Sequence, residues 1–329
     1  REREALYGEL SRHWLAGLTQ VLLVVDWSDL TRDQRWQWLR ASVVVEGRSV
    51  TLYEEVHAQR LLANPKVHER FVRRLSAMLP LGCRVTVMTD AGFHAPWFKL
   101  IERQGWQFIG RIRRRNQVRV ASACGWLAAR ALYARARTVA RDLGSGYYAR
   151  SNPVGVRLVL AKRRAKGRHR LNIYGAKRAG HSSAKSARSA REPWLLASSL
   201  GLQHLAPEAI VSLYTQRMQI EQSFRDAKSS RVGFGLEHAR TRSSARLQML
   251  RLLVHLVTFV QRLIGECAKE RQMALEFMSE RRAQHPEISV LTLGRRIINA
   301  AARLTDELQP WLAPPLLTAQ ASRAAHAGQ

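Results

Sequence analysis

The sequence predicts a mixed α/β sheet with helices on its faces. Two almost wholly apolar runs, VLLVVD (residues 21–26) and RVTVMTD (84–90), each end in an acid, as buried strands of an open sheet do. A hairpin signal stands between them, and stretches of helical periodicity alternate with the strands. At 329 residues, 46% of them hydrophobic, the chain can bury a full core with a second domain or a large insertion, which excludes a disordered protein.

In chain order, the first strand covers 21–26. Residues 41–45 and 49–53 flank Glu46-Gly47-Arg48 as the two arms of a hairpin. Pro65 starts a helix through about Met78, with Val67, Phe71, Leu75 and Met78 at helical spacing. The second buried strand is 84–90, followed by a helix at 96–104 and a strand at 106–112. From about Arg113 to Arg191 this rhythm breaks. Short strand-like pieces such as 154–160 alternate with Gly, Ser, Lys and Arg, and 176–190 approaches low complexity, as a mobile basic loop would. Residues 193–198 (PWLLAS) restore a core strand. Helices are expected from Ile210 through Lys228, at 244–271 and at 289–305, with a poorly ordered tail from Pro310. The resulting division is a first part of the core (1–112), a basic strand-rich insertion (113–191), a second part of the core (192–245) and a helical C-terminal region (246–329).

The charge narrows the partners. There are 54 Lys and Arg against 25 Asp and Glu, a formal charge of +29. Between Glu102 and Glu192 the only acid is Asp142, against 23 Lys and Arg, and Arg predominates, which suits bidentate contact with phosphates. A polyanion channel reads better than a merely solvated face. A ribosomal-type scaffold or a membrane-surface protein is the plainer alternative. The three cysteines, Cys83, Cys124 and Cys267, are far apart and form no CxxC pair, so neither a disulfide scaffold nor a thiolate zinc site is expected, and a reducing, cytoplasmic setting fits. No signal peptide is visible. The most apolar run, 247–260, is broken by Arg251 and His255 and is too short to span a bilayer, so it reads as a core helix and no membrane partner is expected.

The chemistry concentrates in YTQRMQIEQSFRDAK. At ~100° per residue, Tyr214, Arg217, Glu221 and Lys228 fall within roughly 60° of one helix face, beside an apolar stripe of Leu213, Ile220, Phe224 and Ala227. One acid is thus ringed by a phenol and two cations. An Asp ending a strand is ordinarily a turn or cap residue, which applies to Asp26 and Asp90 singly. Together they stand at the C-terminal ends of two apolar strands, where open α/β sheets place their sites if the strands are parallel neighbours. Glu221 would complete a carboxylate cluster, self-repelling unless divalent cations neutralise it. There is no HExxH zinc motif and no GxSxG elbow, and Gly233-Phe234-Gly235 lacks the remaining spacing of a dinucleotide fingerprint.

Tyr214-x2-Arg217-x3-Glu221-x6-Lys228 resembles the YREK signature of DDE transposases from bacterial insertion sequences. VVDWSDL at Asp26, LRASVVVEGRSVTLYEE after it, TDAGFHAPWF at Asp90 and REPWLLAS look like the subgroup of insertion sequence ten, the transposase of the tetracycline transposon. The likeness runs from about Val21 to Arg246 and is weak in the insertion. It implies an RNase H-like core with the strand-rich insertion between the second Asp and the Glu. It implies Asp26, Asp90 and Glu221 as a metal-binding catalytic triad holding two Mg²⁺ ions, with Mn²⁺ as a substitute. It assigns Tyr214, Arg217 and Lys228 to phosphates around the transposon end, and Trp194 to stacking on a flipped base. Met218 stands where some relatives place a wedging Trp. Each also has an ordinary structural reading: Arg217 and Lys228 as ion-pair partners, Trp194 and Tyr214 as packing.

The activity implied is cut-and-paste transposition: nicking, hairpin formation at the element end, hairpin opening and strand transfer into target DNA. The partners implied are double-stranded DNA and a second copy of the chain. Relatives carry a DNA-binding region before the first Asp, and here Asp26 comes almost at once, so a non-catalytic DNA-binding remnant is the alternative. A different RNase H-like nuclease or resolvase, and a structural basic RNA-binding protein, are the further readings.

Overall fold

A computed structural model describes residues 2–45, 48–163, 192–229, 233–277 and 288–300. The strands are β1 (Gln20–Asp29), β2 (Trp36–Val43), β3 (Val50–Ala58), β4 (Arg84–Thr89), β5 (Gln107–Ile112), β6 (Gln117–Val120), β7 (Leu127–Ala128), β8 (Arg141–Tyr148), β9 (Val154–Ala161) and β10 (Trp194–Ser198). The helices are α1 (Glu2–Leu15), α2 (Pro65–Ser76), α3 (Ala95–Arg103), α4 (Pro207–Thr215), α5 (Met218–Lys228), α6 (Ser244–Glu270) and α7 (Val290–Ala300). The strands form one ten-stranded sheet in the order β3-β2-β1-β4-β5-β10-β9-β8-β6-β7. β1, β4 and β5 are mutually parallel and every other pairing is antiparallel, a mixed sheet of the α/β class consistent with an RNase H-like core. The strands of the basic stretch continue this sheet from β10 outward.

The period of two along β1 sorts its side chains onto two cores. Leu23 and Val25 join Phe71 of α2 and Trp97 and Phe98 of α3 on one face, with Tyr7 and Trp14 of α1. Leu22 and Val24 join Ile210, Leu213, Ile220 and Phe224 of α4 and α5 on the other. Burial on both faces is why this strand is apolar throughout. α1 lies ahead of the first expected strand, with Tyr7, Ser11, Trp14 and Leu15 as its buried side. α2 begins where expected, Asn64 capping the Lys66 and Val67 amides ahead of Pro65 at the first turn.

Two expectations are corrected. The helix expected from Ile210 through Lys228 is two helices. At Gln216 and Arg217 the amides bond three residues back, to Leu213 and Tyr214, so the chain is overwound there between α4 and α5. The run 247–260 is part of a 27-residue helix, long and apolar enough by length and composition to cross a membrane. It packs along β3, with Arg251 and His255 turned inward rather than breaking it. α6 and α7 approach closely: a Cβ on Gly294 would lie 1.8 Å from the Gln261 carbonyl oxygen. The basic loop at 176–190, the turn residues Glu46 and Gly47, the end of the helix expected to reach 305 and the tail from Pro310 lie outside the described residues.

A buried ionic network ties this architecture together. Glu54 on β3 accepts from Tyr7 Oη (3.0 Å), Trp38 Nε1 (2.9 Å), Arg40 Nε (2.9 Å) and Arg251 Nη2 (2.9 Å). Burial alone would raise its pKa, but Arg251 and Arg40 outweigh that and hold it down at about 2. Four elements, α1, β2, β3 and α6, thus converge on one carboxylate.

Candidate active site

β1 and β4 are adjacent and parallel, with Val25 opposite Thr89, so Asp26 and Asp90 follow side by side where the parallel ladder ends; β1 does not stop at Asp26, as expected, but runs on to Asp29 along β2. Alternation aims Asp26 at the face of Leu22 and Val24, and Asp90 at the face of Met88. α4 and α5 cover that face, and their junction places Arg217 and Glu221 above the two strand ends.

Asp26 is buried, with one oxygen held by the Trp27 amide (2.9 Å) and the other by Arg217 Nη1 (3.2 Å). Arg217 Nη2 bonds Glu221 Oε1, so one guanidinium joins two of the three acids. Burial pushes the Asp26 pKa up to about 8, the negative charges of Asp90 and Glu221 push the same way, and Arg217 opposes them. For Arg217, burial alone would lower the pKa, but Tyr214, Asp26, Glu221 and Asp90 raise it well above the usual value. All three acids therefore share one electrostatic neighbourhood. Asp90 sits in a tight turn, accepting from the Gly92 amide at 2.8 Å, and a Cβ at Gly92 would press on that carboxylate at 3.0 Å.

The remaining candidates are placed as follows. Tyr214 is 2% exposed and burial raises its phenol to about 12; its ring meets Trp194 edge-on at 4.9 Å. Trp194 is 8% exposed, with Arg163 over its ring at 4.7 Å. Met218 is 40% exposed, its sulfur 3.8 Å from Arg217 Nη2. Lys228 Nζ donates to Ser28 Oγ and to the Asp29 carbonyl, both at 2.7 Å, lacing α5 to the end of β1.

Two recesses flank the acids. A groove of about 580 Å³ holds Asp26, Ser28, Asp29, Glu221 and Lys228. On the other side of Asp90, about 720 Å³ is lined by Arg113, Arg114, Arg115, Arg130 and Asn116. Arg113 is committed to Glu192 (Nε to Oε2, 3.0 Å), whereas Arg114, Arg115 and Arg130 make no ion pair among the described residues. In the sequence these arginines stand out as part of a basic interval. Their signal was local, an Arg triplet immediately after the strand that pairs with β4. Trp27, His94 and Trp97 are held by neighbours near the acids: Trp27 Nε1 donates to His68 Nε2 at 2.9 Å, His94 Nδ1 lies 3.2 Å from the Tyr148 hydroxyl, and Trp97 meets His68 edge-on.

The donor set suits a hard divalent cation: three carboxylates, one of them buried and short of positive charge. Among the described residues, no three His, Cys, Asp or Glu side chains yet converge into a complete ion-binding group. The Arg217 guanidinium instead bridges Asp26 and Glu221.

A family model described as "Transposase DDE domain" matches residues 17–258, well over half of the chain. No curated protein matches the sequence.

Proposed function

The chain belongs to the transposase DDE-domain family, and from that membership we propose that it cleaves and rejoins DNA at the ends of a mobile element, with Asp26, Asp90 and Glu221 as the catalytic acids. The observation that carries this reading is the delivery of Asp26 and Asp90 by adjacent parallel strands beneath Glu221, with Asp26 raised to about 8 by burial and by the other two acids.

The three carboxylates would hold two Mg²⁺ ions, or Mn²⁺ in their place; when bound, such ions polarise the scissile phosphate as Lewis acids. The remaining work falls to the chain. Arg217 bridges Asp26 and Glu221 and offsets their mutual repulsion, and its fork is of the kind that would bind a phosphate. Arg114, Arg115 and Arg130 offer unpaired guanidiniums to the backbone beyond Asp90. Lys228 fixes the lip of the groove through Ser28 and Asp29, within reach of a phosphate that enters there.

The finer steps are part of the same proposal: a nick, a hairpin on the element end, its opening and strand transfer, carried out by two copies of the chain on paired ends, as in the subgroup of insertion sequence ten. Stacking of a flipped base on Trp194 requires Arg163 to leave the indole face. Met218, which is exposed, would fill the vacated stack. The reading is tested by incubating the chain with Mg²⁺ and a duplex carrying its own element end. Nicks and hairpins support it, and an intact duplex contradicts it.

A further inference from the structure

On the far side of α5 from Glu221, a cavity of about 770 Å³ lies between α5, α6, α7 and the β2–β3 hairpin. That volume is in the range of small-molecule sites. Among the described residues its lining holds six arginines and seven serine or threonine hydroxyls, against one acid, Asp226.

Carboxylates match part of this positive charge: Arg48 pairs with Asp226 at 2.9 Å and Arg262 with Glu266 at 3.0 Å. Arg40 and Arg251 share the single carboxylate of Glu54. Arg225 makes no ion pair among the described residues. The wall also contains buried donors with no partner: Arg251 Nε and Nη1, and Arg262 Nε, on side chains 2% and 3% exposed. His255 Nε2 is likewise unmatched. Buried donors left unmade are costly, and a cluster of hydroxyls and guanidiniums in which Arg251 and Arg262 keep unmatched donors offers what a phosphate needs. The lining also includes Trp14 and Phe259, which meet edge-on at 4.9 Å and present apolar ring surface.

We propose that this cavity binds a phosphate-bearing ligand of nucleotide size, its phosphates against Arg225, Arg40 and Arg251 and its flat ring against Trp14 and Phe259. The ligand is a free nucleotide or one nucleotide of a DNA strand; Arg225 and Ser229 line both this cavity and the groove beside Glu221, so a strand in the groove lies close to it. The proposal stands apart from the metal chemistry, because no acid of the triad lines the cavity.

The test is calorimetric titration of the intact chain with ATP, pyrophosphate and adenosine in EDTA. Removing divalent ions takes the triad out of the measurement. ATP and pyrophosphate should bind saturably and adenosine should not. Arg225→Ala should weaken ATP by about tenfold. Thr258→Phe should abolish binding by filling the space, since the Thr258 hydroxyl serves only the Val254 carbonyl at 2.7 Å. Circular dichroism checks that both variants fold. A short duplex that displaces ATP, and is itself weakened by Thr258→Phe, identifies the ligand as a strand nucleotide; a duplex that leaves ATP bound identifies a free nucleotide. No saturable ATP binding at millimolar concentration, or ATP binding unchanged in both variants, overturns the proposal.

Discussion

Arg217 spans Asp26 and Glu221: Nη1 lies 3.2 Å from Asp26 Oδ2 while Nη2 bonds Glu221 Oε1. A cation of the chain itself thus stands where the carboxylates call for positive charge. The overwound turn between α4 and α5 puts it there.

If Arg217 competes with divalent ions for the same oxygens, Arg217→Ala should bind Mn²⁺ more tightly, by roughly tenfold, since charged hydrogen bonds are worth about 1.5–3 kcal/mol. Mn²⁺ titration followed by electron paramagnetic resonance checks this without any reaction. The same variant should bind DNA less well. Unchanged or weaker Mn²⁺ binding would show that Arg217 organises the acids rather than substituting for an ion.

Arg114 and Arg115 should act as phosphate contacts. Arg114→Ala with Arg115→Ala should lower the salt dependence of duplex binding by about two charges, near 0.9 in slope for each. Fluorescence anisotropy from 50 to 300 mM salt, without divalent ions, measures it. An unchanged slope would remove these arginines from the DNA path.

Glu54 was not foreseen as a keystone, because nothing local marks it: its partners come from α1, β2 and α6 and meet only in the folded chain. Much else was readable. Each acid-tipped strand announced itself by an apolar run, and parallel neighbours were the simplest arrangement of two such strands. The break at Gln216–Arg217 was not readable, since neither Gly nor Pro marks it and a uniform periodicity hides one overwound turn. The depth of Trp194 was equally hidden, because it depends on Tyr214 and Arg163 arriving from distant segments. α6 exceeded its apolar run because Arg251, Arg262 and Glu266, which look like breaks, find ion-pair partners inside the protein.

Breaking the Glu54 network should be severe. Glu54→Gln leaves Arg40 and Arg251 buried without a counter-charge, at a cost of about 3–5 kcal/mol in urea unfolding. A loss below about 1 kcal/mol would mean that water or rearrangement compensates.

His68 should make the fold acid-sensitive. Burial lowers its pKa from 6.5 to about 4, and its neutral Nε2 accepts from Trp27 Nε1. A depressed folded value means that its contribution is complete above pH 6.5 and is lost as pH falls towards 4. His68→Gln should therefore flatten the decline in stability between pH 7 and pH 4.5, by roughly 3 kcal/mol at most. Parallel unfolding curves at the two pH values check it. An unchanged decline would place the acid sensitivity elsewhere, with His255 the next residue to vary.

The most direct measurement is Mg²⁺-dependent cleavage of an element-end duplex by Asp26→Asn, Asp90→Asn and Glu221→Gln, with duplex affinity measured alongside. Each variant should lose roughly 10³-fold or more in nicking rate while binding the duplex as the parent does. Substantial nicking by all three would contradict the assignment of these acids as the catalytic centre.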